Sequence, residues 1–258
     1  MCLNMILNPY DILNIIINYY YITCYDDINK LLLTSKYITR DNITKIIILD
    51  SEKNTFDNLC KFNNLESLEI QLDQDNPTFW DYDIIDIENY KLMFLKLNSL
   101  YICSSNIINI NVLYNSEMLV NLDISNTSIT NIDILQNCKY LEYLNILNCQ
   151  LIRNTSLRPK YLKQLYMSGT DIDTLDILQE CYNCVTNLYI GDMKDLKYID
   201  ILQKCINLTE LNIEYTQIDD INVLQYCTKL EHVYIRGSNI GMITRIIYKT
   251  CPNLTIYL

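Results

Sequence analysis

The stretch "NLDISNTSITNIDILQNCKYLEYLNI", residues 121–146, says one phrase twice. Leu122-Asp123-Ile124 returns as Leu144-Asn145-Ile146, 22 residues further on. Counting outward with Leu-x-x-Leu-x-Ile as the unit, starts fall at Ile43, Leu65, Leu97, Leu119, Leu141, Leu162, Val185, Leu208 and Leu230. A partial unit follows at Leu254. The steps are 22, 32, 22, 22, 21, 23, 23, 22 and 24 residues, so only one departs widely. Each unit then continues in kind: Thr127-x-Ile129-x-x-Ile132-x-x-Leu135, Thr170-x-Ile172-x-x-Leu175-x-x-Leu178, Thr216-x-Ile218-x-x-Ile221-x-x-Leu224. One such unit cannot hide its own apolar face. Stacked units share a continuous core, which makes the chain a solenoid.

This pattern resembles the leucine-rich repeat, and its short period is most similar to the 22-residue phosphatase-regulator and internalin-type class. The resemblance covers residues 43–258, about nine repeats plus the partial one. It implies an α/β solenoid, with a curved parallel sheet on the concave side and 3₁₀ turns or short helices on the convex side. Leu, Ile and Val at unit positions 1, 4 and 6 line the core from the strand side, and the Ile and Leu at positions 11, 14 and 17 line it from the other. Position 9 holds Thr127, Thr170 and Thr216, with Ser105 and Ser238 elsewhere. Their hydroxyls can satisfy turn backbone groups. Cys149 and Met193 stand there in two units, where a looser turn is expected.

Residues 1–42 precede the repeat. "NPYDILNIII" reads as a helix start, with Asn8 as N-cap, Pro9 at the first helical position and Asp11 in the first turn. Ile28, Leu31 and Leu32 fall on one face of a second helix. The stretch resembles the F-box at Pro9, Asp11, Ile12, Leu13 and Ile16, then at Asp27, Ile28, Leu31, Ser35 and Lys36. It departs from that pattern at Asn8, at Tyr37-Ile38 and by about three extra residues in the middle. The resemblance implies a substrate adaptor whose N-terminal helices dock on the Skp-type linker of a cullin ubiquitin ligase. The alternative is a helical cap over the first repeat, which a solenoid also needs. F-box-like ends joined to repeats in so AT-rich a style are similar to families carried by large DNA viruses, entomopoxviruses among them. That source would put the protein in host cytoplasm.

Composition narrows the function classes. The net charge of −11 and the absence of any Lys/Arg run exclude a phosphate-binding footprint, so neither nucleic acid nor an anionic membrane is expected as partner. The apolar run Ile12–Ile22 is interrupted by Asn14 and Asn18 and is too short to span a bilayer. The chain has no alanine and only four Gly and four Pro, which points to AT-rich coding rather than to the fold. Eleven cysteines, an odd number, without a visible export signal suggest reduced thiols in the cytoplasm. Cys138, Cys181, Cys205, Cys227 and Cys251 recur once per unit at one phase, so each thiol belongs to a different rung and no metal site is expected. No cofactor motif occurs, and the one His, His232, has no nucleophile at catalytic spacing. The chain reads as non-enzymatic.

What is left is recognition of a protein. In each strand, residues beside the inward Leu point out. Unit positions 3 and 5 place Tyr101, Tyr143, Tyr166, Tyr189, Glu210, Asn212, His232 and Tyr234 in two rows on the concave face. Tyr supplies rigid contact area with a hydroxyl, and the neighbouring acids favour a basic partner. The long step from Leu65 to Leu97 carries "DNPTFWDYD" with Trp80, either as an enlarged convex segment or as a projecting loop. Besides the adaptor, a scaffold or regulatory subunit of another enzyme fits the same features.

Overall fold

The computed structural model describes residues 21–24, 45–49, 64–71, 95–103, 107–153, 155–240 and 245–258. Eleven strands form one sheet in strict chain order, every pair parallel. They are β1 (Tyr21–Cys24), β2 (Lys45–Leu49), β3 (Ser67–Gln71), β4 (Ser99–Cys103), β5 (Asn121–Asp123), β6 (Tyr143–Asn145), β7 (Gln164–Tyr166), β8 (Asn187–Tyr189), β9 (Glu210–Asn212), β10 (His232–Tyr234) and β11 (Thr255–Tyr257). Each strand pairs with the next at the spacing of one repeat, for example Leu122 with Leu144 and Leu188 with Leu211. The unit starts read from Ile43 to Leu230 are therefore in register.

Burial explains the register. β5 to β10 hold three residues each, with the middle one buried and the flanking two half-buried. Leu100, Leu122, Leu144, Leu165, Leu188, Leu211 and Val233 are fully buried and stack down the inner face. Burying each such side chain stabilises the stack by about 1.5–3 kcal/mol. Slipping one strand by a residue would turn its Leu outward, so the pattern pins the pairing. Opposite the sheet, Ile129, Ile132 and Leu135 and their counterparts in later units complete the same core.

After β5 to β10 the chain turns at position 8 with a positive φ: Asn126, Asn148, Gly169, Asp192, Tyr215 and Gly237 all lie between 54° and 71°. Asn, Asp and Gly tolerate this left-handed region, and Tyr does not do so readily. The Tyr215 ring covers Gly237, where an added Cβ would lie 2.4 Å from it. Position 9 closes the turn as expected. The hydroxyls of Thr127, Thr170, Thr216 and Ser238 donate to the carbonyls of Ile124, Met167, Ile213 and Ile235 at 2.6–2.8 Å. Cys149 is more than a weak substitute: its buried thiol donates across to Ile124 O of the preceding rung at 3.1 Å.

Among the described residues, five return segments hold 3₁₀ turns, at Asn111–Asn115, Asp133–Asn137, Asp176–Leu178, Asp200–Lys204 and Asn222–Tyr226, and the one between β6 and β7 holds none. Asx side chains two residues upstream start three of them, with Asn109, Asn131 and Asp220 accepting from the N–H groups of Asn111, Asp133 and Asn222. Four end at Ser116, Cys138, Cys205 and Cys227, whose N–H groups donate to the carbonyl three residues back. Among the described residues an α-helix, α1 (Arg245–Thr250), replaces the turn before β11.

Two features depart from the reading of the sequence. β1 pairs with β2, so the sheet takes in four residues of the stretch for which a helical cap was expected. Its sequence, Tyr-Ile-Thr-Cys, is rich in residues that favour strands. At the other end, β11 pairs Thr255 with His232 and Tyr257 with Tyr234. The final unit is thus one residue short between Leu254 and Ile256, and counting from Leu254 misassigns its faces. Pro9, Ile12, Leu13, Ile16, Ile28 and Leu31 lie outside the described residues, as do Ser105 and Trp80.

Candidate functional site on the outer sheet face

All eight residues expected on the outer face are there, each half-buried: Tyr101, Tyr143, Tyr166, Tyr189, Glu210, Asn212, His232 and Tyr234. The sheet does not treat them alike. Tyr143, Tyr166 and Tyr189 form a run on consecutive rungs, with ring centroids 5.5 Å and then 4.6 Å apart, the second pair stacked. Tyr234 stacks on Tyr257 at 4.5 Å, and His232 lies tilted against the same ring at 5.9 Å. The Tyr257 hydroxyl and His232 Nδ1 are 3.2 Å apart. Tyr257 escaped the sequence reading because the one-residue shortening placed it on an inward position. The unequal spacing of Cys251-x-x-Leu254-x-Ile256 against Cys227-x-x-Leu230-x-x-Val233 was the available signal.

Tyr101 stands apart from these stacks. Between it and Tyr143 the face is an amide and carboxylate ladder. Asn121 Nδ2 donates to Ser99 Oγ at 3.0 Å, and Asn145 Nδ2 donates to Asp123 Oδ2 at 2.8 Å. Asp123 also accepts from the N–H and hydroxyl of Ser125 at 2.9 and 2.7 Å. This part of the face satisfies itself.

Glu210 joins the two aromatic stacks. Its carboxylate accepts from Asn187 Nδ2 at 2.7 Å, from the Tyr189 hydroxyl and from the Tyr234 hydroxyl. Asn212 does not reach across rungs. Its side chain folds along its own strand, donating to Glu214 Oε2 at 2.8 Å and accepting from Glu214 N–H at 3.0 Å. Glu214 was not among the expected site residues, since it lies beyond the strand at position 7. Burial, with Asp123 adding, pushes the Tyr143 phenol up to about 12. Burial first, then the Glu210 hydrogen bond, raises that of Tyr189. Both are neutral near pH 7 and act as apolar rings with a hydroxyl rather than as anions.

The cysteine column occupies the opposite side of the core. Cys138, Cys181, Cys205, Cys227 and Cys251 are all buried and unbridged. Cys227 Sγ donates to Leu202 O at 3.2 Å, and Cys251 Sγ to Cys227 O at 3.2 Å. Burial alone pushes the Cys138 and Cys205 thiols up to about 12, and burial is the largest cause of the same shift at Cys181 and Cys227. Cys184, the second member of the one CxxC, is half-buried and turned toward Lys160 O at 3.5 Å. Among the described residues no cluster of His, Cys, Asp and Glu is arranged to hold a metal ion. No described helix is long and apolar enough to cross a membrane.

No protein-family model matches the chain, and no curated protein matches it. Solved structures do match it in fold. The functional domain of InlJ from Listeria monocytogenes, described as including a cysteine ladder, aligns with a TM-score of 0.65 at 18% identity, over 92% of this chain and 48% of that one. The leucine-rich repeat protein LIC12759 of Leptospira interrogans aligns at 0.61 and 14% identity, over 84% of this chain and 55% of that one. Internalin C2 of Listeria monocytogenes aligns at 0.54 and 18% identity, over 85% and 84%. The chain thus spans about half the length of the first two. The fold is a leucine-rich repeat solenoid, similar to those of internalins.

Proposed function

We propose that the protein is a non-enzymatic recognition module that binds a protein partner on the outer, concave face of its sheet. The observation that carries this is the run of contacting tyrosine rings on consecutive rungs. Tyr143, Tyr166 and Tyr189 give a rigid aromatic surface at little conformational cost, which is the chemistry of binding hot spots. The fold needs only the inward residues, so an aromatic row outside the core calls for another cause. Glu210 and the chain's −11 charge favour a basic partner. A scaffold or regulatory subunit would use the same face.

The test is affinity capture with the parent chain and with a chain carrying Y143A, Y166A, Y189A and Y234A. A protein held by the parent and lost by the variant identifies the partner. Each single substitution then weakens it by roughly 1–2 kcal/mol in calorimetry, at unchanged circular dichroism. Four folded single variants that bind as the parent does would sink the reading. The F-box-like adaptor role is a separate proposal, resting on the sequence match at Pro9–Ile16 and Asp27–Lys36. It requires co-purification of a Skp-type linker and a cullin, lost on Ile12→Asp or Leu31→Asp.

A further inference from the structure

The position-5 row runs Tyr166, Tyr189, Asn212, Tyr234, Tyr257 on consecutive rungs. Four of these are tyrosines, stacked in two pairs 4.6 and 4.5 Å apart. That is the rung spacing of a parallel sheet, about 4.8 Å. Asn212 interrupts the stack. By the same spacing, Tyr189 and Tyr234 stand about 9.5 Å apart across it. A planar group centred between them would sit about 4.8 Å from each ring, which is inside the reach of a cation–π contact.

The Asn212 side chain is held out of the row. Asn212 is tied down along its strand by two hydrogen bonds to Glu214. Its carbonyl oxygen lies over Gly191 on the preceding rung, where an added Cβ would approach it to 2.7 Å. The φ of Gly191 is not in the left-handed region, so glycine serves there to admit the amide rather than to make a turn. Carboxylates stand at both ends of the gap, Glu210 at position 3 and Glu214 at position 7 of the same rung. Some acids find cations, as in Lys163–Glu142 at 2.7 Å and Lys139–Glu117 at 2.9 Å. Among the described residues, Glu210 is hydrogen-bonded to Asn187 and to the Tyr189 and Tyr234 hydroxyls at the rim of the gap, and Glu214 to Asn212, all neutral, and neither makes an ion pair.

We infer that this gap is a binding slot for an arginine side chain of the protein partner, its guanidinium sandwiched between Tyr189 and Tyr234 and its charge met by Glu210 and Glu214. The inference rests on the proposed use of this face and adds to it one subsite and the residue type it takes. A flat cation suits a two-ring sandwich better than the compact ammonium of lysine. An aromatic ring would stack equally well but would leave both carboxylates without a counter-charge.

The experiment uses the full chain labelled with 3-fluorotyrosine and the peptide acetyl-Gly-Arg-Gly-amide, with citrulline, lysine and phenylalanine peptides beside it. The arginine peptide should shift the Tyr189 and Tyr234 fluorine signals saturably. The citrulline and lysine peptides should bind roughly threefold or more weakly. Asn212→Tyr fills the slot and should abolish the shift at unchanged melting temperature. The double substitution Glu210→Gln with Glu214→Gln should reduce arginine binding to the citrulline level. Equal binding of arginine and citrulline, stronger binding of phenylalanine, or a shift that survives Asn212→Tyr would each overturn the assignment, as would no saturable shift at all. If the slot fails while Tyr143→Ala and Tyr166→Ala still weaken the captured partner, only the subsite falls. If those also leave binding intact, the face itself is wrong.

Discussion

The column at the end of the return segments and the tyrosine rows on the sheet both recur once per rung, but they differ in what they allow. The column reads Ser116, Cys138, Pro159, Cys181, Cys205, Cys227 and Cys251, all small and all buried. The outer position-5 row reads Glu69, Tyr101, Asp123, Asn145, Tyr166, Tyr189, Asn212, Tyr234 and Tyr257, mixed in size, charge and shape. The column sits in a close-packed core, where a change of one methylene is felt. The row meets solvent, and the strands beneath it are held by their inward Leu whatever the row carries. Uniformity in the first is imposed by packing. Variety in the second is freedom that folding does not use.

The strongest way to break this contrast is alkaline pH. Cys138, Cys181, Cys205 and Cys227 have folded values of about 12 against a reference of 9.0. Above pH 9 the unfolded chain releases these protons and the folded chain keeps them. The stability they hold is therefore complete below pH 9 and is lost as pH rises toward 12. The urea midpoint should fall steeply from pH 8.5 to pH 11, and less steeply in Cys205→Ala or Cys227→Ala. A flat profile would mean that the column is not sealed from solvent.

A smaller effect tests the column's one hydroxyl. Ser116 Oγ is buried without a hydrogen-bond partner. An unsatisfied buried polar group costs about 1–3 kcal/mol, so Ser116→Cys should stabilise the protein by roughly 1 kcal/mol in urea denaturation. Loss of stability instead would show that the site resists even one sulfur. The smallest effect is expected on the row. Tyr166→Ala forfeits one stacked and one tilted ring neighbour and should cost about 1 kcal/mol or less in the same assay. A loss as large as a core Leu→Ala, about 2–5 kcal/mol, would make the tyrosines part of the fold and remove the reason to assign them a partner.

The inward Leu and Ile made the architecture legible, because their phase is tied to burial and cannot drift. From Ile43 to Leu230 the starts taken from the sequence match the strand register. The ends were harder. At the first strand the unit reads Tyr19-x-x-Ile22-x-Cys24, with Tyr and Cys where the pattern has Leu and Ile. At the last, a one-residue shortening moved Tyr257 to the opposite face. The outer residues were placed correctly, since they follow from strand alternation. Their grouping was not visible. Which tyrosines stack, and where Asn212 folds away, depends on side-chain hydrogen bonds that a repeat pattern does not encode.

The strict chain order of the strands also makes this surface digital. Any distance along it is a whole number of rungs, so a partner's contact points can be retuned only in steps of about 4.8 Å. Inserting one 22-residue unit after Asn212 would widen the gap beside Tyr189 by one such step and leave every other spacing unchanged. Deleting the unit that carries Asn212 would close it altogether and give one unbroken ladder of rings. Specificity in such a chain could change by counting, through gain or loss of whole repeats, without a single substitution in the core.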